Sequence, residues 1–428
     1  MHIYFSGIGG TGLASLALIA HEAGYDVSGS DARPSQYLEY LAKHGITNTH
    51  VGVDDEFIAK VHAEKPIDWF VYGSAQPIDF PDHPEFTFCK THGIKMSKRD
   101  ELINQIIKDK GLKLVAIAGT HGKTTTTAMT VWVFKQLGLP VSYSGGAKLS
   151  FGDVAEYNPA SKHFIYEADE YDRNFLNFYP EISLVAGFDW DHPDIYPTRE
   201  SYEAAFHQFF DQSKQVVLWQ DDADKLNLKV EDKHRILNPS DPAISSIKLP
   251  GLVNRLDAWL VIQGLASELE KTEAELIEII NQFPGVSRRF EKIAENLYSD
   301  SAHTPPKIKG ALQLAHEVAG DNVIVIYEGL HNLRQHFIKE ELRNLFDSTK
   351  ELYIVPSYLA REDPNLPTLS PADLVNLLSN STKTKARAAE LGSELKSVIQ
   401  KHTAAGDLVL CLTAGGAGSL DEWLRQEF

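Results

Sequence analysis

Lys123 and Thr124 follow Gly119-Thr-His-Gly122 within the string KLVAIAGTHGKTTTTAMTVWVF. Residues of these types, at this spacing, hold polyphosphates. Glycines let the backbone approach the ligand, N–H groups at a helix start face its oxygens, a lysine reaches the β and γ positions, and a hydroxyl meets Mg²⁺. Gly119, Gly122, Lys123 and Thr124 supply these in order, and Thr120 and Thr125, in the same turn and at the helix start, belong to the same set. The loop is two residues shorter than G-x-x-x-x-G-K-[ST], so it is a variant of that pattern. As a loop lysine, Lys123 is expected to carry charge rather than packing, so Lys123→Ala should remove turnover and leave the fold intact.

A second glycine loop opens the chain. Gly7-Ile-Gly9-Gly10-Thr-Gly12 follows the apolar run HIYFS, and Asp31 ends the run YDVSGSD, 19 residues beyond Gly12. Glycine spacing and distal acid match the dinucleotide fingerprint, which points to a diphosphate-bearing ligand; a nicotinamide cofactor and a UDP-sugar both fit. Ser74, after WFVYG, is a candidate hydroxyl at the same sheet edge.

Two acid clusters follow the Lys123 loop. Glu167-Ala-Asp-Glu170-Tyr-Asp172 ends the run HFIY, and Asp189-Trp-Asp191-His192-Pro-Asp194 ends SLVAGF. Carboxylates at the ends of adjacent parallel strands beside a phosphate loop are suited to gripping Mg²⁺. The blander reading is a pair of solvated loops, with His192 satisfied by neighbouring acids rather than ligating a hard cation.

Such loops need strands and helices to aim them. HIYFSG, WFVYGS, KLVAIAG, HFIYEA, SLVAGF, QVVLW, NVIVIYEG, LYIVP and DLVLCLTAGG read as short strands buried on both faces. LASLALIAHEAG, TEAELIEIINQF and RAAELGSELKSVIQKH read as helices, which gives an α/β fold. Breaks near Lys108 to Gly111 and around Ser287 to Glu291 divide the 428 residues into parts at 1–110, 111–290 and 291–428. Lys+Arg 41 against Asp+Glu 59 leaves a net charge of -18, which disfavours nucleic acid or an anionic membrane as the main partner. Cys89 and Cys411 stand far apart, no secretory leader precedes Gly7, and no run of 18 apolar residues occurs. A reducing cytoplasm is the expected compartment.

GTHGKTTTTAM, EADEYD, DWDHPDIY, GVSRRFE and SAHTPPKIKGAL stand in the order and approximate spacing of the Mur ligase family, which the chain closely resembles. The opening, GIGGTGLASLALIAHEAGYDVSGSD, is similar in particular to the branch that joins L-alanine to UDP-N-acetylmuramate. The resemblance implies three domains: a Rossmann-like UDP-binding domain, a P-loop ATPase-like central domain and a Rossmann-like C-terminal domain. It implies ATP and Mg²⁺ as cofactors, UDP-N-acetylmuramate and L-alanine as substrates, and reaction through an acyl phosphate. Carried over residue by residue, it places Lys123 on the β and γ phosphates and Thr124 on Mg²⁺, with Glu167 and His192 at a second Mg²⁺. It puts Gly7, Gly9, Gly10, Gly12, Asp31 and Ser74 on the UDP-sugar, and Arg334 on substrate from the third domain. Asn254 falls where the family touches adenine, Arg289 where it meets the phosphates, and Asp300 and His303 where the third domain closes.

The chain also departs from the family pattern. Val253 replaces the histidine before Asn254, Asp257 replaces the next asparagine, and Thr304 follows His303 where the alanine-adding branch has a second histidine. Leu330 stands for another third-domain histidine, and SYEAAFHQFF has no lysine to be carbamylated, with His207 nearest that place. The alternatives are a ligase that recycles a preformed tripeptide, an NAD-dependent oxidoreductase using the first glycine loop, and a non-catalytic nucleotide sensor.

Overall fold

Three sheets organise the chain, seen in a computed structural model that describes residues 1–52, 54–73, 82–192, 195–359, 362–363, 365–416 and 418–428, with Thr11 as backbone only. Ser74, one of the expected substrate contacts, lies outside the described residues.

The first sheet holds β1 (His2–Ser6), β2 (Asp26–Asp31), β3 (Thr49–Val51), β4 (Trp69–Tyr72) and β5 (Lys95–Lys98) in the order β3-β2-β1-β4-β5, all parallel. The order reverses between β1 and β4, so a crevice opens at their carboxyl ends, where the first glycine loop leaves β1. The second sheet holds β6 (Lys113–Ala118), β7 (Ser142–Ser144), β8 (Ala155–Glu156), β9 (His163–Glu167), β10 (Ile182–Val185), β11 (Gln215–Trp219) and β12 (His234–Leu237). Its order is β12-β11-β10-β6-β9-β7-β8, parallel except for β8. The phosphate loop after β6 is therefore flanked by the ends of β9 and β10, which carry the two acid clusters.

The third sheet holds β13 (Glu291–Ala294), β14 (Leu297–Asp300), β15 (Val323–Leu330), β16 (Glu351–Tyr358), β17 (Ala386–Ala388) and β18 (Leu408–Leu412), ordered β13-β14-β18-β15-β16-β17. Only β13 runs antiparallel among these. The string RAAELGSELKSVIQKH is not one helix: its start is edge strand β17, and the helix Ser393–Ala404 begins only after Gly392. Arg387 and its neighbours are drawn into the ladder with β16, and the Leu391-Gly392 break lets the chain turn back.

Packing gathers the first two sheets into one unit, 1–247 with 257–283, and the third sheet into another, 284–428 with 248–256. The segment 248–256 joins the second unit by Gly251 against Leu314 and by Arg255 Nη1 on Glu317 Oε1 at 2.6 Å. In the first unit one apolar cluster runs without a break from Ile3 and Leu16 through Ile103 to Tyr166, Phe188 and Phe206. Runs such as β6, β10 and β18 are almost wholly apolar because helices cover both faces. Cys89 and Cys411 are both free and buried. Among the described residues, no helix is long and apolar enough to cross a membrane.

Beneath the first glycine loop lies a fully buried carboxyl group, Glu85. It accepts from Tyr4 Oη at 2.6 Å and Ser30 Oγ at 2.5 Å and also from Ser6 Oγ, tying the ends of β1 and β2 together. Ser30 in turn supplies the carbonyl that receives the Gly7 and Ile8 amides at 2.8 and 2.9 Å. Glu85→Ala would leave three buried hydroxyls without their acceptor, at about 1–3 kcal/mol each before relaxation. It is expected to lower unfolding free energy by about 3 kcal/mol or more in urea titration, and Glu85→Gln by clearly less; equal stability of the alanine variant and the parent would contradict this bonding.

Candidate active site

The phosphate loop leaves β6 at Ala118 and ends at Gly122, which caps the helix Lys123–Gln136 without a side-chain bond. Gly119 has φ 124° and Gly122 φ 79°, a region that side chains avoid. Space forbids a side chain too: a Cβ on Gly119 would lie 2.6 Å from the Gly187 carbonyl oxygen, and one on Gly122 2.8 Å from Asp257 Oδ1. Gly122, without a side chain, leaves the first turn of this helix uncapped by its own residue, the arrangement that suits an anion. Thr120 ties the loop to the end of β10, its amide donating to Gly187 O at 2.8 Å and its hydroxyl to Asp189 O at 2.6 Å. His121 lies 3.1 Å from Asp189 Oδ2, and Lys225 Nζ 3.3 Å from Oδ1 of the same acid. The His121 bond is the chief reason that the Asp189 carboxyl sits below its usual range. Thr125 is buried in the first helical turn.

Lys123 is not the solvated loop lysine that the sequence suggests. Its side chain is only 14% exposed, and its ammonium donates to Gly119 O at 2.6 Å and to Glu170 Oε2 at 2.6 Å. Glu170 is 1% exposed. Burial alone would raise its carboxyl, but the Lys123 charge and bonds from His192 and Lys123 hold it down at about 2. Burial likewise opposes the Lys123 ammonium, and Glu170, Asp169 and Glu167 overcome that and raise it. The result is a desolvated ion pair. The premise of an exposed lysine, on which the expected harmlessness of Lys123→Ala to the fold rested, is corrected: the change would strand Glu170 as a buried charge.

Glu167 and His192 come to the same strand edge with different partners. Glu167 accepts from Thr124 Oγ1 at 3.1 Å and from the Gly146 amide at 2.9 Å. His192, at φ 56°, has Nε2 3.7 Å from Glu170 Oε1 and 3.9 Å from Asp191 Oδ2. Burial disfavours its charged form, yet Glu170 and Asp191 outweigh that and raise its pKa above the usual value. Among the described residues, no group of three or more His, Cys, Asp or Glu is arranged as a ready-made metal cage. A hydroxyl beside one carboxylate still suits Mg²⁺, which takes few protein ligands and keeps phosphate oxygens and water. His207 hydrogen-bonds the Leu226 carbonyl at 2.9 Å. Tyr196 and Tyr202 brace the floor, donating to Glu170 O at 2.6 Å and meeting Thr120 Oγ1 at 3.0 Å.

In the first glycine loop Gly7 has φ 82°, and the Gly9 amide donates to Asp31 Oδ2 at 2.8 Å. A Cβ on Gly9 would meet Ser35 Oγ at 2.7 Å, and one on Gly12 Arg99 Nη1 at 2.6 Å. Gly10 caps the helix Thr11–Glu22 with no side-chain bond. Between this helix and the Lys123 loop lies a cavity of about 160 Å³, with Gly12, Ser15, Arg99, Lys123 and Glu167 in its wall.

The other unit assembles its own set. Asp300 takes the Phe290 and Ala302 amides at 2.8 Å each, while burial raises its carboxyl against the opposing pull of Arg289. His303 Nδ1 donates to Ser301 O, 2.7 Å away. Burial first, then the Lys307, Arg334 and Arg289 charges, pull its imidazole down to about 3, so the ring is neutral. Arg289, Asp300, His303 and Arg334 therefore form one neighbourhood, with Lys307 added to it. Asn254 Nδ2 donates to Pro250 O at 2.8 Å, and Val253 is 45% exposed. Asp257, in the unit of the phosphate loop, stands behind Gly122, and burial pushes its carboxyl well above the usual carboxylate range against a bond from Thr126.

Sequence reading passed over Glu170 and Arg99 as site residues. Glu170 lay in a cluster whose members cannot be ranked without knowing which one turns inward, and SKRDEL gives no signal that Arg99 faces a loop 87 residues earlier.

The profile described as Mur ligase family, catalytic domain matches residues 2–110, and the Mur ligase middle domain matches residues 117–241. A UDP-N-acetylmuramate–L-alanine ligase of Nocardioides sp. is 29% identical over 96% of this chain and 93% of its own length. One from Cytophaga hutchinsonii is 27% identical over 99% and 95%. Among solved structures, the UDP-N-acetylmuramate-alanine ligase of Thermotoga maritima overlays with a TM-score of 0.74 at 24% identity, covering 100% of this chain and 98% of that one. A murein peptide ligase of Psychrobacter arcticus gives 0.63 at 20%, covering 99% of each. These overlays share the three-domain α/β architecture. The two profiles, which together span most of the first 241 residues, and the end-to-end relatives place one conclusion beyond the fold: the chain belongs to the Mur ligase family.

Proposed function

We propose that the protein is an ATP-dependent amide ligase joining L-alanine to UDP-N-acetylmuramate. The observation that carries this reading is end-to-end similarity to proteins of that name, over 93 to 99% of the chain. A tripeptide-recycling ligase is the nearer alternative, since the Psychrobacter murein peptide ligase has the same fold, though it overlays less well than the Thermotoga alanine ligase. The oxidoreductase reading is set aside, since it gives no use to the buried Lys123–Glu170 pair.

A carboxylate does not acylate an amine at neutral pH; ATP supplies the phosphoryl group that makes it an acyl phosphate, and Mg²⁺ offsets the charge that gathers there. The chain's own residues do the rest. Gly119, Thr120, Gly122 and Thr125 present the backbone cradle, and Lys123, aimed by Glu170, supplies fixed positive charge. Thr124 and Glu167 are hard oxygen donors that fit Mg²⁺, and His192, when neutral, fits a second ion as nitrogen donor. Gly7, Gly9, Gly10 and Gly12 accept the UDP diphosphate at the start of the helix Thr11–Glu22, beside Asp31. From the other unit Asn254 would meet adenine, and Arg289 and Arg334 would bring charge to the phosphates and carboxylate. Asp300 and neutral His303 would order that surface, and its closure would keep water from the acyl phosphate. The cytoplasm, where ATP and nucleotide sugars occur, is the compartment this chemistry requires.

Phosphate release from ATP with UDP-N-acetylmuramate and each of L-alanine, L-serine, glycine and the tripeptide tests the substrate assignment. L-alanine should give the highest kcat/KM. A preference for the tripeptide would transfer the protein to the recycling reaction.

Lys123→Ala should cut phosphate release by roughly 10³-fold or more. It should also cost about 3 kcal/mol of stability, because Glu170 is left charged and buried. Lys123→Ala combined with Glu170→Gln should regain most of that stability in urea titration and none of the activity. Unchanged stability in the single variant would contradict the buried pair.

A pH dependence follows from His192. Glu170 and Asp191 raise its pKa above the usual histidine value in spite of burial, and a protonated ring cannot ligate. The Mg²⁺ concentration for half-maximal rate should therefore rise as pH falls from 8 to 6, and His192→Asn should flatten that rise. A parent enzyme whose Mg²⁺ requirement is constant over this range would remove His192 from the metal site.

A further inference from the structure

Arg99 opens the helix Arg99–Asp109 directly after β5, and nothing in the reaction so far uses it. Its side chain is 27% exposed. On one side it crosses Gly12 so closely that any Cβ there would strike Nη1. On the other, Nη2 is 3.7 Å from Asp169 Oδ2 and Nε 3.7 Å from Asp100 Oδ1, and among the described residues the guanidinium makes no closer polar contact. Its fork of N–H donors thus faces the 160 Å³ cavity with hydrogen-bonding capacity to spare.

The charge around that cavity explains why such a group is needed. Glu167 and Asp169 line it, and Glu170 and Asp172 stand in the same cluster. Lys123 is engaged by Glu170, and Lys98 by Asp172. An acceptor carboxylate coming from the first glycine loop toward Lys123 enters this space past Gly12 and Ser15 and meets acids on the far wall. It requires a cation on its own side, and a planar guanidinium matches a carboxylate through two parallel hydrogen bonds.

We propose that Arg99 binds the carboxylate of the acceptor nucleotide sugar and holds it toward Lys123, an assignment that rests on the ligase reading above. Asp169 and Asp100, at ion-pair rather than hydrogen-bond distance, keep the guanidinium in place without occupying its donors. Gly12 then has two duties: it starts the diphosphate-binding helix and leaves the space through which Arg99 reaches the cavity.

The test compares two ligands that differ in the carboxylate. UDP-N-acetylmuramate carries a lactyl carboxylate and UDP-N-acetylglucosamine does not, so calorimetric titration of both into the parent, Arg99→Ala and Arg99→Lys isolates the contact. Arg99→Ala should weaken UDP-N-acetylmuramate by about 10- to 100-fold, as loss of hydrogen bonds to a charged group does, and change UDP-N-acetylglucosamine less than about twofold. Arg99→Lys should fall between, and millimolar guanidinium should restore part of the turnover of Arg99→Ala. Retained UDP-N-acetylglucosamine binding shows at once that the variant is folded. Equal weakening of both ligands, or of neither, overturns the assignment to Arg99 while leaving the ligase reading in place. A parent protein that binds neither nucleotide sugar fails the ligase reading itself, and the Arg99 assignment with it.

Discussion

The site depends on a charge pair taken out of water. Lys123 and Glu170 meet at 2.6 Å where Glu170 is almost wholly buried, and such a pair persists only when its geometry and further bonds repay desolvation. The repayment is visible: Gly119 O receives a second Lys123 proton, His192 approaches the other Glu170 oxygen, and Tyr196 secures the Glu170 backbone. A lysine so held cannot wander into solvent. It projects charge to one point at the mouth of the phosphate loop, which is what transfer of a highly charged group needs.

The sheet makes that pair possible. Because β10, β6 and β9 are adjacent and parallel, the loops after them emerge at one edge, and each supplies a part: Gly119 to Thr124 from β6, Glu167 and Glu170 from β9, Asp189 and His192 from β10. The loops are also laced together, Thr120 to Gly187 and Asp189, and Ala168 to Ile117. The backbone stores cost here as well. Asp172, Arg173 and His192 all hold positive φ near 55°, so the chain accepts local strain to turn Glu170 inward and His192 toward it.

Much of this was legible in the sequence, for definite reasons. Doubly buried strands leave continuous apolar runs, and positive-φ glycines at close backbone approaches leave Gly119, Gly122 and Gly7 in recognisable spacing. What stayed hidden was orientation. Glu167 and Glu170 look equivalent in EADEYD, yet one meets Thr124 and the other is buried under Lys123. Lys123 looks solvated because sequence carries no sign of the counter-charge 47 residues away. Arg99 and Glu85 were invisible for the same reason: long-range contacts give their charge a purpose. The helix expected over RAAELGSELKSVIQKH failed at its start because pairing with β16 outweighs helix propensity in Ala386–Ala388.

The central claim is that a substrate carboxylate is activated by phosphoryl transfer at the Lys123 loop. It is tested most directly by labelling both carboxylate oxygens of UDP-N-acetylmuramate with ¹⁸O, running the reaction with ATP and L-alanine, and taking mass spectra of the phosphate released. Activation as an acyl phosphate predicts one ¹⁸O in each inorganic phosphate formed and one retained in the amide product. Unlabelled phosphate, or label appearing in AMP, would contradict the account.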